Sequence, residues 1–285
     1  MPELPEVETV RRGLEQVMRG RIIQNAEIRG SGLRWPFPDN LKEQLTGSRV
    51  DNIDRLGKYL LFGLSTGTTL ISHLGMSGRF AVHSARSPEP EGPVGGIGCG
   101  KHDHVLIRMC DGTAIIYNDP RRFGMMDLVA TAEVGSHRSL AILGPEPLGN
   151  AFSESNLQRR LGTKSTPIKS ALLDQRVVAG LGNIYVCEAL WCSGISPFRP
   201  ARSVVDDERS VLVSSIRKVL RDAIDAGGST LRDHRQVGGE LGYFQHRFNV
   251  YGRKGHPCPR KACNGTVSRA VQAGRSTFHC ECCQL

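Results

Sequence analysis

The apolar positions of the first eighteen residues recur at helical spacing. Val7, Val10, Leu14 and Val17 fall on one face and predict a helix over Glu3–Met18. Pro2 stands just ahead of it, where a missing N–H costs nothing, and Glu3 and Glu6 lie in or near the first turn, where acids favour the helix dipole. From about Arg21 to Ala130 the period shortens. Apolar runs at Tyr59–Phe62 and Thr69–Ile71 flank the turn residues Ser65-Thr66-Gly67; runs at Val105–Ile107 and Ala114–Tyr117 flank Asp111-Gly112, a strong hairpin signal. Hairpins in succession predict a β-sandwich or barrel. Ser87–Gly100, rich in Pro and Gly, reads as a surface loop. After Gly149 the pattern is helical again. Helices are predicted over Ser153–Leu161, Ile168–Gln175, Asn183–Cys192 and Asp206–Ala226, the last stopped by Gly227-Gly228. Between two of them, Val178-Ala179-Gly180-Leu181-Gly182-Asn183 is a glycine-rich turn feeding a helix N-terminus. Such a turn either brings backbone N–H groups up to a phosphate or is a plain corner between helices, and spacing alone favours neither.

A chain of 285 residues is long enough for two domains, and 39% hydrophobic with 23% charged residues is ordinary for a soluble globular protein. The apolar run around Val177–Leu190 is broken by Asn183 and Glu188, so no membrane span is expected. The Met-Pro-Glu start lacks the basic-then-apolar pattern of a secretory signal, which makes the cytoplasm the expected compartment. The net charge of +9 favours polyanionic partners. Its distribution says more: from Leu241 to Leu285, Arg247, Arg253, Lys254, Arg260, Lys261, Arg269 and Arg275 face the single acid Glu281, the composition of a phosphate-contacting surface.

Nine cysteines, an odd number without a secretory signal, argue against a disulfide framework. Cys258 and Cys263 are separated by four residues, Cys280 and Cys283 by two, with sixteen between the pairs. That is the spacing of a structural four-thiolate site; the two-pair arrangement favours zinc, although spacing alone does not exclude iron. Such a site has no open position for water. It is expected to fold a short β-hairpin whose loop holds Arg269 and Arg275, and to press Arg275 against a DNA phosphate. Cys282 is a spare thiol beside it, and Cys99, Cys110, Cys187 and Cys192 read as buried or incidental.

Several motifs then converge on one family. The start Met1-Pro2-Glu3-Leu4-Pro5-Glu6-Val7-Glu8-Thr9-Val10 closely resembles formamidopyrimidine-DNA glycosylase, an enzyme that removes 8-oxoguanine and ring-opened purines. Leu56-Gly57-Lys58-Tyr59-Leu60, His73-Leu74-Gly75-Met76-Ser77-Gly78, Asp119-Pro120-Arg121-Arg122-Phe123-Gly124, Gly180-Leu181-Gly182-Asn183-Ile184-Tyr185 and Val250-Tyr251-Gly252-Arg253-Lys254-Gly255 extend the match in the family's order. The finger departs from the family's usual first pair, which has two residues between its cysteines rather than four. Arg232 stands where some relatives carry lysine.

The resemblance implies an α+β fold: an N-terminal β-sandwich catalytic domain with its catalytic helix over residues 1–135, a helix–two-turn–helix DNA-binding domain over 150–240, and a four-cysteine zinc finger over 248–285. It implies a bifunctional glycosylase and AP lyase of base excision repair, acting on oxidised purines in damaged double-stranded DNA. Pro2 is then the Schiff-base nucleophile after removal of Met1, Glu3 the proton donor to the sugar, Lys58 the proton donor in β-elimination, and Arg275 a phosphate contact and proton donor in δ-elimination. Glu6 orients the site. Met76, Arg121 and Phe123 fill the space left by the extruded base, with Arg121 on the orphaned cytosine. His104, Lys169 and Asn183 contact DNA, and 230–243 closes over the base. Cys258, Cys263, Cys280 and Cys283 hold one structural zinc ion. The expected setting is a monomer at the bacterial nucleoid, with no protein partner readable.

Three other readings compete. Endonuclease VIII, the sister enzyme for oxidised pyrimidines, usually begins Met-Pro-Glu-Gly and lacks the Arg-Arg-Phe wedge, so Leu4 and Phe123 favour the purine enzyme. A non-catalytic zinc-ribbon DNA binder accounts for charge and finger but has no need of Pro2-Glu3 or Lys58. A zinc hydrolase fails because four thiolates leave no open metal position.

Overall fold

The structure, a computed structural model, describes residues 2–84, 100–229, 237 and 242–285. The chain forms two compact units, one of residues 1–141 with 227–242, the other of 142–226 with 243–285.

The first unit opens with helix α1 (Leu4–Met18). Glu6 at its third position accepts the Glu3 N–H on Oε2 at 2.9 Å, satisfying one of the amides that a helix N-terminus leaves without an intrahelical acceptor. The helix buries Leu4, Val7, Val10, Leu14 and Met18. Its outer face is an ion-pair ladder in which Arg11 meets Glu8 at 3.0 Å and Glu15 at 2.7 Å. Strands β1 (Ile23–Ile28), β2 (Val50–Leu56), β3 (Tyr59–Leu64), β4 (Thr68–His73), β5 (Arg79–His83), β6 (Asp103–Met109), β7 (Ala114–Asn118) and β8 (Met125–Ala130) follow, with the short helix α2 (Leu41–Leu45) after β1. They form two four-stranded antiparallel sheets, ordered β1-β6-β7-β5 and β2-β3-β4-β8. One core cluster takes Val7, Val10 and Leu14 from α1, Ile107 and Tyr117 from one sheet and Leu60 and Phe62 from the other, as expected of a sandwich. The Phe62 and Phe80 rings meet across the sheets at 6.0 Å.

The four strands read from apolar runs and turn residues are present. β1 and β2 were not legible, for a common reason. Each carries a register shift, between Ile23 and Asn25 and between Val50 and Asn52, so their buried residues (Ile23 and Ala26; Val50 and Ile53) fall three apart instead of two.

The second unit holds α3 (Glu154–Leu161), α4 (Ile168–Leu173), α5 (Asn183–Ser193) and α6 (Asp206–Asp225), close to the predicted spans. Ser153 caps α3 by accepting the Asn156 N–H at 3.2 Å, and α5 stops at left-handed Gly194. None of the described helices is long and apolar enough to cross a membrane. The finger hairpin, β9 (Val267–Gln272) with β10 (Arg275–Cys280), belongs to this same unit. Neither Arg269 nor Arg275 lies in the hairpin loop, since Arg269 is within β9 and Arg275 begins β10; the turn is so tight that only Ala273 and Gly274 separate the strands, both with positive φ.

Glu188 anchors the finger's approach to the helices. Fully buried on α5, its carboxylate accepts four N–H bonds: from the backbone and side chain of Asn249, both at 2.9 Å, from Val250 at 3.0 Å and from Tyr251 at 2.8 Å. Glutamine would turn an NH₂ group against two of these donors. Glu188→Gln is therefore expected to destabilise the second unit by about 3 kcal/mol, read as a lower urea midpoint. An unchanged midpoint would remove the anchor argument.

Candidate active site and metal centre

In the first unit the structure buries Pro2, Glu3 and Glu6 at the head of α1. Glu6 is bound on both oxygens. Oε2 takes the Glu3 N–H, and Oε1 takes the Ser229 N–H at 2.8 Å and its hydroxyl at 3.0 Å. The carboxylate thus pins the residue next to Pro2 to the segment that leads into 230–236. Gly228, left-handed at φ 79°, packs on it: an added Cβ would sit 3.2 Å from Glu6 Oε1. The hydrogen bonds expected of Glu6 run to the Glu3 amide and to Ser229. Arg232 and most of 230–243, like 87–99 with Cys99, lie outside the described residues.

Lys58 occupies the turn between β2 and β3, made possible by left-handed Gly57 (φ 59°), and is only 7% exposed. An ammonium so placed needs anionic or polar company. Its charge is felt by His73 at the end of β4, a residue that residue type and spacing do not single out. Burial, then Lys58 and Arg34, lower the His73 pKa from 6.5 to about 4. The neutral ring accepts the Gly75 N–H on Nδ1 at 3.0 Å and packs against Tyr59 at 4.8 Å. Because the unfolded chain protonates near 6.5 and the folded chain only near 4, stability is present above 6.5 and is lost as pH falls from 6.5 towards 4. The loss is at most about 3 kcal/mol. Urea unfolding of His73→Gln, which keeps an acceptor for Gly75, is expected to show that much less acid sensitivity than wild type; identical slopes would refute the assignment.

The other first-unit residues gather on two adjoining loops. Met76 (40% exposed) stands on the loop after β4, and Arg121 and Phe123 (47% exposed) on the loop after β7. The Arg121 guanidinium lies 4.7 Å over the Phe123 ring. His104 is buried rather than displayed, its Nε2–H donated to the Asp119 carbonyl at 2.9 Å. An unforeseen surface lies alongside. Exposed Trp35 is flanked by the guanidinium groups of Arg34 at 5.1 Å and Arg138 at 4.9 Å, and the Arg34 N–H donates to Gly124 O at 3.0 Å.

In the second unit, Lys169 departs from the surface position that phosphate contact needs. It is 0% exposed, and its ammonium donates to Ser276 O at 3.1 Å and Thr277 Oγ1 at 2.8 Å. The apolar face of α4, with buried Ile168, Ala171 and Leu172, carries it inward. Asn183, at the start of α5, donates Nδ2–H to the same Ser276 carbonyl at 2.9 Å. Both residues therefore grip the strand that begins with Arg275, which is itself exposed.

The four cysteines come together as read. All four Sγ atoms lie within 4.8 Å of one another, with Cys258–Cys283 and Cys263–Cys280 at 3.7 Å. A tetrahedron with metal–sulfur bonds of about 2.3 Å has edges of about 3.8 Å, so the set fits a tetrahedral divalent ion. The thiols are unequal: burial and the neighbouring sulfurs push Cys283 up to about 12 and raise Cys280, whereas at Cys258 burial is outweighed by hydrogen bonds from the Arg260 backbone and the Trp191 ring, which bring it down to about 7. A cation is what lets four crowded thiolates coexist. Two residues are extra between Cys258 and Cys263, and the turn absorbs them, with Ala262 left-handed at φ 61°. Exposed Cys282 lies outside the set, as do Cys110 (exposed), Cys187 (buried) and Cys192, whose thiol burial raises to about 11.

Comparison with known proteins agrees with this arrangement. Residues 1–126 match the formamidopyrimidine-DNA glycosylase N-terminal domain and residues 143–235 the formamidopyrimidine-DNA glycosylase H2TH domain. The chain belongs to the formamidopyrimidine-DNA glycosylase family. It is 56% identical to the Ruegeria pomeroyi formamidopyrimidine-DNA glycosylase and 57% to one from Cereibacter sphaeroides, in each case over 100% of both chains. Among solved structures it is similar to a Lactococcus lactis glycosylase variant in complex with DNA containing Fapy-dG (TM-score 0.87, 36% identity, 99% of each chain). It is similar also to the Thermus thermophilus glycosylase (TM-score 0.84, 41% identity, 99% of this chain and 98% of that one). The DNA-repair glycosylase family, the sandwich and the helical region with its cysteine cluster follow from these matches.

Proposed function

We propose that the chain excises oxidised purines from duplex DNA through the amine of Pro2 and then cleaves the strand by β,δ-elimination. The observation that carries this reading is the Pro2–Glu6 segment, where Pro2 directly precedes a helix start that Glu6 fixes through the Glu3 amide. With Met1 removed, Pro2 presents a secondary amine. An α-amino group titrates at roughly 7.7–8.0, leaving a useful neutral fraction at neutral pH, whereas a lysine near roughly 10.4 would need a far larger shift. The nitrogen attacks the sugar C1′, the glycosidic bond breaks, and the base leaves. Glu3 protonates the sugar oxygen as the ring opens, giving an iminium. That electron sink acidifies the 2′ proton. Its removal expels the 3′ phosphate, with Lys58 assisting, and a second elimination expels the 5′ phosphate, with Arg275 assisting.

C1′ is shielded in a stacked duplex, so the base must leave the helix at a cost of a few kcal/mol. Exposed Phe123 at a loop tip is suited to wedge between base pairs, with Met76 filling the gap and Arg121 on the orphaned base. The Lactococcus lactis relative is described with Fapy-dG DNA, and another relative with DNA containing carbocyclic 8-oxo-G. These support a purine lesion over the pyrimidine substrates of the sister enzyme. The four thiolates fit zinc, which would fix the hairpin bearing Arg275 without touching the reacting atoms.

The test is borohydride trapping on a duplex with 8-oxoguanine opposite cytosine. The expected result is strand cleavage and a covalent adduct that mass spectrometry locates at Pro2. Binding without an adduct, in protein shown to lack Met1, would overturn the reading.

A further inference from the structure

Asp119 is 0% exposed and carries a net of bonds that joins the two loops bearing Met76, Arg121 and Phe123. Its Oδ1 accepts the Ser77 hydroxyl at 2.6 Å, from the Met76 loop, and the Arg121 N–H at 3.3 Å. Its Oδ2 accepts the Gly124 N–H at 2.8 Å, closing the Arg121–Phe123 loop on itself. Ser77 Oγ also accepts the Arg121 N–H at 3.2 Å. The loops touch backbone to backbone at left-handed Gly75, where a Cβ would overlap the Phe123 carbonyl, and Gly78 and Gly124 both pack on the Tyr117 hydroxyl, which a Cβ at either would overlap. Within the closed loop Arg122 is held at φ 54°, a conformation that a non-glycine residue keeps only when its surroundings enforce it. Its guanidinium Nε–H donates to Gly32 O at 3.1 Å.

We propose that Asp119 is a positioning residue for base extrusion, its carboxylate locking the Met76 loop and the Arg121–Phe123 loop into one preformed wedge. Three donors converge on a group that only accepts, so asparagine would set an NH₂ against one of them. Without the lock, Arg122 leaves its left-handed conformation, and ordering three side chains must then be met out of the free energy of DNA binding. The inference rests on the glycosylase reading above, and it separates two steps: extrusion needs the wedge, whereas cleavage at a site that already lacks its base has no base to unstack.

Two variants of the full chain test it, Asp119→Asn and the milder Ser77→Ala, which breaks only the tie between loops. Stopped-flow fluorescence of 2-aminopurine beside 8-oxoguanine reads extrusion, and single-turnover cleavage of a preformed abasic site serves as the comparison. Extrusion and excision are expected to slow at least tenfold in Asp119→Asn and about threefold in Ser77→Ala, with abasic-site cleavage within twofold of wild type. Should Asp119→Asn fail to fold, Ser77→Ala decides alone. Equal losses on both substrates would reduce Asp119 to a structural residue, and variants as fast as wild type on both would likewise overturn the proposal. A wild-type protein that extrudes no base would overturn the glycosylase reading itself, and this inference with it.

Discussion

A form of the protein that keeps a residue joined to Pro2 is expected to bind an 8-oxoguanine duplex like the processed form and to excise almost nothing. The joined residue converts the secondary amine into an amide. An amide nitrogen has no available lone pair, so neither attack on C1′ nor an iminium is open to it. The expected loss in single-turnover excision is on the order of 10⁴-fold or more, the scale that removal of a covalent nucleophile reaches. Helix α1 should be unaffected, since its cap depends on the Glu3 N–H, Glu6 and Ser229 and not on the Pro2 nitrogen. Borohydride trapping and excision rates on the processed and blocked forms check this. An adduct of undiminished yield in the blocked form would move the nucleophile elsewhere, with Lys58 the first amine to examine.

Removing one metal ligand is expected to have the second large effect. Cys280 is fully buried, lies 3.7 Å from Cys263 and ends β10. Wild-type protein should carry one zinc ion per chain, and Cys280→Ala close to none. A two-stranded hairpin is marginal by itself, while zinc-finger sites draw an apparent binding free energy of about 10–16 kcal/mol from their ion. Lys169 and Asn183 hold β10 near Ser276, and Gln272 at the end of β9 donates Nε2–H to Pro197 O at 3.2 Å, but such hydrogen bonds contribute only about 1 kcal/mol each, far less than the ion. The hairpin should therefore lose its order and Arg275 its place. DNA affinity is expected to fall by at least about 100-fold, some 2.7 kcal/mol, a size found for truncation of interface residues that dominate binding. Elemental analysis together with a binding titration reads both effects. Undiminished affinity in a variant shown to be metal-free would detach the finger from DNA binding.

Local rules were enough for much of the architecture. α1, β3, β4, β6, β7 and the four helices of the second unit follow from helical spacing, short apolar runs, turn residues and caps, because all of these are signals carried by neighbouring residues. β1 and β2 escaped because a bulge breaks the alternation that marks a strand. The site divides the same way. Pro2, Glu3, Glu6, Lys58 and the four cysteines stand out by residue type and spacing. His73, Asp119 and Glu188 do not, since what distinguishes each is the set of groups folded around it.

Residue order alone determined that a proline directly precedes a carboxylate at the head of the first helix, that two cysteine pairs are placed for one ion, and that two arginines and a phenylalanine follow Asp119 and Pro120. These features are local, and chemistry and spacing suffice to read them. The tertiary structure alone decided that Lys169 is buried behind Arg275, that Glu6 joins Glu3 to Ser229, and that one carboxylate ties Ser77 to Gly124. Those outcomes depend on burial and on partners 42 to 223 residues away in sequence. A charged or polar group acquires its role from the donors and acceptors that packing brings to it, and no local pattern specifies them.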